Sequence, residues 1–468
     1  MSDRSLFWNG IDAATGGPLF AVQSPQEALS ALCGDDLEQR PRGPVHGVDL
    51  KNLASSGWGV IFPAGEAEAL RQALAPLLTL RRAQAGARYR EYVVAPGPAP
   101  DVRGSERVES TAERFLADNN GCMGPVDPEK MPYFLLIVGP PTALSYLFQF
   151  QLSQSFAVGR VAFPELADYR RYADSVVAAE RGEVARPRRV ALFGPERDPA
   201  TRLSADQLLG PLEQKLLKWT GKGGPFTGFG SQVVRGEQAT KAGLERLLGG
   251  PDTPALLLTA SHGVGFGADH PAQADLQGAL LCQDWPGPEG KPRPARPNEY
   301  FAAADVGDHA RPAGLISFHF ACYGLGTPAD DEYAHHHPGK PIERKARHAL
   351  VARLPQRLLA HQAGGALAVV GHVERAWSYS FQGPGNQSST EAFESFLAAL
   401  LAGLPVGAAM DYFGQRAGVL ATRIVELRDQ RERGRDVDDG QLLSLLTAYK
   451  DARSYAVLGD PAVRLAVG

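Results

Sequence analysis

Short apolar runs of strand length alternate with amphipathic helical patterns along this 468-residue chain, and no other feature restricts its fold as strongly. The apolar runs cover 58–62, 133–138, 189–193, 255–260, 314–321 and 366–370. Helical periodicity covers 66–82, 166–181, 204–219, 343–362 and 390–402, with a kink predicted at Pro355. Because the runs are apolar throughout and helices separate them, we expect an α/β fold with a largely parallel sheet sandwiched by helices.

The domain organisation is predicted from the same alternation. Two successive α/β blocks indicate two side-by-side subdomains, at 51–250 and 251–468, after an N-terminal extension at 1–50. Proline, glycine and polar residues concentrate at 95–104, 285–297, 324–341 and 428–440, which we interpret as loops or linkers. A chain of this length can bury a substantial core.

The charge balance argues against nucleic acid as a partner. The chain has 48 basic and 52 acidic residues and a formal net charge of -4, so we predict no nucleic-acid partner.

The uncharged stretch 131–159 is interrupted by prolines and glutamines, so we interpret it as buried strands and predict no membrane span. The first residues have no apolar run typical of a signal peptide, and we expect a cytoplasmic protein.

The cysteines form no metal or redox motif. They stand at Cys33, Cys122, Cys282 and Cys322, too far apart in sequence for either. This spacing is typical of reduced thiols in a reducing compartment.

Polar residues follow two of the predicted strands directly. His262 and Gly263 come after 255–260, and Cys322 comes after 314–321. In open α/β sheets the functional site forms at the carboxyl ends of the strands. A thiol needs a nearby base to react at neutral pH, so we predict Cys322 as a nucleophile and His262 as its general base. The N–H groups of Gly263 and Cys322 are candidates for an oxyanion hole.

Each of these residues has an ordinary structural interpretation when taken alone. An isolated cysteine at a strand end is usually a small buried hydrophobe, and a His-Gly pair is usually a turn. The assignment depends on their occurring together, His before Cys, 60 residues apart on consecutive predicted strands.

Several short motifs resemble one known family. Ala321-Cys322-Tyr323-Gly324, with His262 upstream, is similar to the caspase signature Gln-Ala-Cys-x-Gly and its histidine about fifty residues earlier. The chain resembles the caspase-like cysteine peptidases, and its details look closest to the gingipain-like branch. The run 134–139 is similar to a strand of the gingipain-type N-terminal subdomain, Leu-Gly-Asp-Pro at 458–461 is similar to the motif that closes the catalytic subdomain, and Trp377 matches a substrate-side loop.

The resemblance has consequences for function. It implies a cysteine endopeptidase with a Cys-His dyad, no obligatory third member and no cofactor, acting on protein or peptide substrates after a selected P1 residue. It also implies control by cutting or reordering of loops beside the nucleophile, an activating or inhibiting protein partner, and an association with bacterial defence and cell death.

The P1 preference cannot be transferred from the family. Several relatives have an acidic or amide residue two positions before the nucleophile, where this chain has Phe320. The acidic residues Asp269, Asp284 and Glu374 lie in loops that could reach the dyad, and we predict a basic P1 residue from them. Arg375 could instead select an acidic P1 residue, and solvated loop charges are the ordinary interpretation of all four.

Exposed basic segments near and far from the nucleophile are candidates for self-cleavage. One runs from the 324–341 loop into the basic cluster 343–347, and the other is 428–435, with Arg431, Arg433 and Arg435. Exposed polar segments are where proteolytic nicking concentrates.

Other motifs predict less. The run His335-His336-His337 is a poor metal site because consecutive side chains rarely converge on one ion. The glycine-rich 263–267 lacks the Gly-Lys-Ser/Thr ending of a phosphate loop, and no Gly-x-Ser-x-Gly elbow occurs. Two alternatives to a peptidase stay open: a catalytically silent caspase-like scaffold or binding module, and a small-molecule thiol hydrolase or acyltransferase using the same dyad.

Overall fold

The computed structural model describes residues 43–95, 111–288, 293–337, 340–383 and 387–468. Most of the predicted N-terminal extension, 1–50, lies outside the described residues, as do Cys33 and nearly all of the predicted 95–104 loop.

The described residues form the following elements. The strands are β1 (Trp58–Pro63), β2 (Tyr89–Val94), β3 (Phe134–Val138), β4 (Ala157–Val161), β5 (Arg189–Gly194), β6 (Gly230–Arg235), β7 (Leu256–Ala260), β8 (Leu280–Leu281), β9 (Tyr300–Phe301), β10 (Ile316–Phe320), β11 (Gly326–Thr327), β12 (Leu350–Val351), β13 (Ala368–His372) and β14 (Tyr455–Gly459). The α-helices are α1 (Leu53–Ser56), α2 (Ala67–Ala73), α3 (Ala75–Ala85), α4 (Thr111–Asp118), α5 (Tyr146–Leu152), α6 (Leu166–Glu180), α7 (Pro199–Ser204), α8 (Gly210–Thr220), α9 (Lys241–Leu247), α10 (Gln273–Leu276), α11 (Arg353–Leu359), α12 (Glu391–Leu401), α13 (Val406–Ala409), α14 (Asp411–Glu432) and α15 (Asp439–Arg453). A π-helical segment, Ala205–Leu209, joins α7 to α8.

Ten strands form one sheet in the order β2-β1-β3-β4-β14-β13-β10-β7-β5-β6. Neighbouring strands are parallel from β2 to β14 and again from β13 to β6. These two groups of parallel strands meet at β13 and β14, which are antiparallel to each other. The two groups of strands therefore run in opposite directions. The carboxyl ends of β5, β7 and β10 meet at one edge of the sheet.

Burial shows that both faces of this sheet are covered. Every residue of β3, β7, β10 and β13 is buried, although successive side chains point to opposite faces. In the middle of the core, the Phe318 ring of β10 contacts Phe393, Phe396, Phe413 and Tyr455, with ring centroids 5.2–5.7 Å apart. The predicted α/β fold with a largely parallel sheet flanked by helices is confirmed. Because Phe318 lies only four residues before Cys322, the core fixes the strand that ends at this cysteine.

Three sequence predictions were wrong in detail. The helix predicted at 343–362 is limited to α11, with Pro355 in its first turn, where a missing N–H is tolerated. The preceding β12 pairs with β11 instead, so a tertiary pairing overrides the local helical pattern. The uncharged stretch 131–159 contains helix α5 as well as strands, and the predicted loop at 428–440 is helical up to Glu432. Strands β2, β6 and β14 were not predicted.

The Leu-Gly-Asp-Pro motif at 458–461 ends the last strand. The buried Asp460 carboxylate accepts hydrogen bonds from Arg81 Nε at 2.7 Å and from Trp58 Nε1 at 2.9 Å. The motif therefore connects the C-terminal strand to the first strand and third helix of the chain.

Residues Gly418–Leu446 belong to a second compact unit, separate from the unit formed by Arg40–Ala417 and Thr447–Gly468. Its described part is the end of α14 and the beginning of α15, and Arg423 pairs there with Glu426 at 2.7 Å. The predicted boundary at residue 250 stays a prediction. Strand β5, which precedes it, pairs with β7, and β6 pairs with β5. Of the helices described, none is long and apolar enough to cross a membrane.

Candidate active site

The loops that contain His262 and Cys322 are in contact at the carboxyl edge of the sheet. β7 and β10 are parallel neighbours, and Ala260 lies opposite Phe320. The Ser261 N–H donates to the Phe320 carbonyl at 3.1 Å, so both chains leave the sheet at the same level. A methyl group built on Gly263 would lie 1.7 Å from the Cys322 carbonyl oxygen. The two predicted strand ends are therefore brought together, and the glycine makes their close approach possible.

The His262 imidazole has a carboxylate partner that the sequence analysis missed. Its Nε2 lies 2.9 Å from Oδ2 of Asp198, whose side chain is 14% exposed. Asp198 follows β5, the neighbour of β7 on the side away from β10. Three adjacent strands, β5, β7 and β10, thus place Asp198, His262 and Cys322 at one edge.

Asp198 is fixed by its position at the start of α7. Its carboxylate accepts from the Thr201 N–H at 2.9 Å, and the Thr201 hydroxyl completes a capping box. Burial acts to raise the pKa of Asp198, but hydrogen bonds from Thr201 and His262 together hold it below its usual value. A signal existed in the sequence, since Asp-Pro shortly after an apolar strand is typical of a helix start at a strand end.

A charged Asp198 sets the roles of the two imidazole nitrogens. Nε2 donates its proton to the carboxylate, which leaves Nδ1 as the nitrogen that accepts a proton in the neutral ring. The Trp285 ring lies edge-on to the imidazole, with centroids 6.1 Å apart and an interplanar angle of 90°. The His262 side chain is 36% exposed, so solvent and a substrate can reach it.

The Cys322 thiol is half-buried at the tip of a tight turn. The Gly324 N–H donates to the Ala321 carbonyl at 3.1 Å, and Tyr323 has a left-handed φ of 59°. The thiol donates to the Ala376 carbonyl, with Sγ 3.7 Å from the oxygen. Burial raises the pKa of the thiol above its ordinary value, while the positive charge of Arg375 acts in the opposite direction.

Two backbone N–H groups of the site are candidates for the oxyanion hole. Those of Gly263 and Cys322 donate to no other group among the described residues. Gly263 lies opposite Leu280, and the residues beside them form the hydrogen bonds. The Leu281 N–H donates to the His262 carbonyl, and the Val264 N–H donates to the Ala279 carbonyl. These two hydrogen bonds fix the loop, while the Gly263 N–H stays available to an oxyanion.

Two of the three acidic candidates for P1 selection have partners outside the dyad. Asp269 is 85% exposed and pairs with Arg347 at 2.9 Å. Asp284 accepts from the Lys241 N–H at 2.6 Å, at the start of α9. Each of these carboxylates has a structural partner of its own, so their contacts give the basic-P1 prediction no support.

Glu374 and Arg375 pair with each other. Glu374 is fully buried and accepts from Arg375 Nε at 2.6 Å and from the Glu332 N–H at 2.8 Å. Burial raises its pKa. Arg375 also pairs with Asp331 and lies over the Tyr333 ring at 4.9 Å. Neither charge is therefore free to select a P1 side chain in this conformation.

The aromatic candidates have different surroundings. The Phe320 ring is buried and contacts Phe381 and Phe393, so it is part of the core. Trp377 stacks on His336 with ring centroids 5.3 Å apart, one residue after the carbonyl that accepts the thiol.

The histidine run and the cysteines at 122 and 282 have the following surroundings. His335 and His336 both point Nε2 at the Thr447 hydroxyl, at 3.2 and 2.9 Å. Within the described ranges, no group of His, Cys, Asp and Glu could hold a metal ion. Cys282 is buried, with its pKa raised by burial, and Cys122 is exposed.

Comparisons with known proteins concern the fold. No family model and no curated protein matches the sequence. A solved structure described as "Structure of Protease" is similar to this chain, with a TM-score of 0.50 and 14% identity over 90% of this chain and 80% of that one. A complex of the RgpB pro- and mature domains from Porphyromonas gingivalis matches with a TM-score of 0.44 and 10% identity, covering 87% of this chain and 79% of that one. At the level of fold, the chain is thus similar to a solved protease structure.

Proposed function

We propose that this chain is a cysteine endopeptidase with Cys322 as nucleophile and His262 as general base. The observation that supports it most is the placement of Asp198, His262 and Cys322 on three adjacent strand ends, with His262 Nε2 2.9 Å from Asp198. The fold that the chain shares with a solved protease structure is consistent with this chemistry. The proposal adds Asp198 to the dyad that the sequence predicted.

In the proposed reaction, the Cys322 thiol passes its proton to His262 Nδ1, and the thiolate attacks the carbonyl carbon of the scissile peptide bond. The N–H groups of Gly263 and Cys322 donate to the oxyanion that forms. The imidazolium returns the proton to the leaving amine, and a water molecule then hydrolyses the thioester. Asp198 orients the imidazole and stabilises its charged form.

The first step requires the thiol to change its partner. The thiol donates to the Ala376 carbonyl, so the same proton is not donated to His262 in this conformation. A rotation about the side-chain bond of Cys322 would release the thiol from this carbonyl. A neutral thiol with a raised pKa is the resting state in this mechanism.

A cleavage-site profile of the purified protein on a proteome-derived peptide mixture tests the proposal. We expect hydrolysis in the wild type, and none after Cys322→Ala or His262→Ala. The double variant should be little worse than either single variant, because the two groups act as a unit. Cys282→Ser and Cys122→Ser are the matched thiol controls and should retain most activity.

One alternative is favoured by a specific observation. The engagement of the thiol with Ala376 and its raised pKa are also expected of a catalytically silent scaffold. A thiol-directed peptide probe separates the two, because a competent thiolate is labelled rapidly and a blocked one is not. Hydrolysis of small esters or amides with no peptide cleavage would instead indicate the small-molecule thiol hydrolase.

The finer predictions are part of the proposal. The substrates are proteins or peptides, and a basic P1 residue rests on the resemblance to the gingipain-like branch. A fluorogenic panel that differs at P1 decides this preference, and a clear preference for Asp at P1 would assign the role to Arg375. A cytoplasmic location and control by a protein partner stay predictions.

A further inference from the structure

A buried glutamine, Gln283, holds the segment that contains Asp198 to the segment that contains Trp285. Gln283 is 3% exposed and lies in the insertion between β8 and β9. Its side-chain Oε1 accepts from the Glu196 N–H at 2.7 Å, and its Nε2 donates to Glu237 Oε1 at 3.1 Å. The side chain thus links the loop after β5 with the loop after β6.

The backbone of Gln283 joins the same two loops. Its carbonyl accepts from Arg197 Nε at 2.7 Å, and its N–H donates to the Ala239 carbonyl at 2.9 Å. All four kinds of polar group on this residue therefore have partners. Two of those partners, Glu196 and Arg197, immediately precede Asp198 in the chain.

The same segment also positions a ring that contacts the imidazole, that of Trp285. Trp285 lies two residues after Gln283, and its N–H donates to the Cys282 carbonyl at 3.1 Å, which forms a tight turn. The Trp285 ring packs against a small apolar cluster that includes Leu281 and Tyr300. Gln283 therefore lies at the point where the loop with Asp198 and the turn with Trp285 meet.

We propose that Gln283 is a positioning residue for His262, because it fixes Asp198 and Trp285 relative to each other and so fixes the imidazole that contacts both. The physical reason is that a hydrogen bond of 2.9 Å between His262 and Asp198 is lost with a displacement of about 1 Å, and such a displacement costs roughly 100-fold in rate. The kinetic part of this inference rests on the proposed peptidase function.

The chain offers a matched control and a rescue. Gln277 is a second buried glutamine, which lies just before β8, and its Oε1 accepts from the Phe266 N–H at 2.7 Å. Gln277→Ala removes a buried amide without touching the loop of Asp198. The rescue is the exchange Gln283→Glu with Glu237→Gln, which reverses donor and acceptor and restores the hydrogen bond between the two side chains.

The kinetic experiment compares kcat, KM and the pH profile of these variants on one cleaved peptide. We expect Gln283→Ala to lower kcat about 100-fold with KM nearly unchanged. The acid limb of its pH–rate profile should lie at a different pH from that of the wild type. Gln277→Ala should keep kcat within about twofold and keep the wild-type profile, even where it lowers the melting temperature. The exchange variant should recover most of the lost kcat. Equal losses in the two alanine variants, or a full kcat in Gln283→Ala, would overturn the positioning role.

A second readout does not need activity. In Cys322→Ala protein labelled with ¹⁵N-histidine, the His262 Nε2 proton that bonds to Asp198 should resonate far downfield, and Gln283→Ala should remove that shift while Gln277→Ala keeps it. An unchanged resonance in Gln283→Ala contradicts the inference. Absence of peptide cleavage in the wild type with the expected shift would remove the proposed function and leave the positioning role in place.

Discussion

Gly263 lies so close to the backbone of Cys322 that a methyl group on its Cα would come within 1.7 Å of the Cys322 carbonyl oxygen. The neighbouring atom belongs to the backbone of the turn that follows β10, so it cannot move aside as a flexible side chain would. The contact makes this glycine a spatial requirement of the site, in addition to its proposed role in the oxyanion hole.

We therefore expect Gly263→Ala to lower kcat/KM by roughly 100-fold or more, because the loop with His262 must shift by about 1 Å away from Cys322. Gly267→Ala is the control, since a methyl group there meets nothing within 4 Å. Peptide hydrolysis and the melting temperature should be measured for both. Wild-type activity in Gly263→Ala would contradict the observed packing.

Asp198→Asn should lower kcat by about 10²–10⁴-fold, because the amide cannot stabilise the imidazolium or fix the tautomer of His262. The helix should survive the change, because asparagine is as good an N-cap residue as aspartate. Asp206→Asn is the control: this carboxylate lies just after α7 and is 74% exposed. Steady-state kinetics and thermal unfolding measure the two effects separately, and unchanged kcat in Asp198→Asn would remove the aspartate from the mechanism.

Stability should depend on pH through His319, which is fully buried in β10. Burial lowers its pKa to about 4, below the ordinary value of 6.5. Between these two pH values the unfolded chain binds a proton that the folded chain does not, so the free energy of unfolding falls as pH decreases through this window. The contribution of this group amounts to about 3 kcal/mol at most and levels off below pH 4.

Urea unfolding at pH 7 and pH 4.5 tests the His319 prediction. His319→Leu should lose less stability on acidification than the wild type. The control is His309→Leu at an exposed histidine, which should behave as the wild type does. An equal pH dependence in all three proteins would show that His319 does not titrate in this way.

Self-cleavage is predicted in one of two exposed basic segments. Arg344 and Arg347 are exposed in the first, and Arg431, Arg433 and Arg435 are exposed in the second. Lys345 is less accessible, because it pairs with Asp331 at 3.3 Å. Wild-type protein at high concentration should be nicked in one of these segments, while Cys322→Ala protein stays intact, as mass spectrometry of the fragments would show.

After a cut in the first segment, the fragments should stay associated, because β13 lies between β10 and β14 in the sheet. Size-exclusion chromatography of the nicked protein measures this directly. Full activity of intact, uncut protein with no added partner would contradict gating by cleavage.

The sequence was sufficient to predict the α/β fold and to place His262 and Cys322 at strand ends. Apolar runs of strand length report burial on both faces, and helices between them require parallel connections. Parallel strands have their carboxyl ends at one edge, so two polar residues after two such runs are expected close together. These properties are local in sequence, which is why they can be predicted without coordinates.

Tertiary structure decided what depends on contacts between distant segments. The partner of His262 is Asp198, 64 residues earlier, and only the adjacency of β5 and β7 brings them together. In the sequence, Glu374 is interpreted as a solvated loop charge, but in the structure it is buried and pairs with Arg375. The helical pattern before Pro355 gives way to the pairing of β11 with β12. A local pattern predicts the burial of strand residues, but the burial and the partner of a loop residue depend on strand order, which the packing of the whole chain determines.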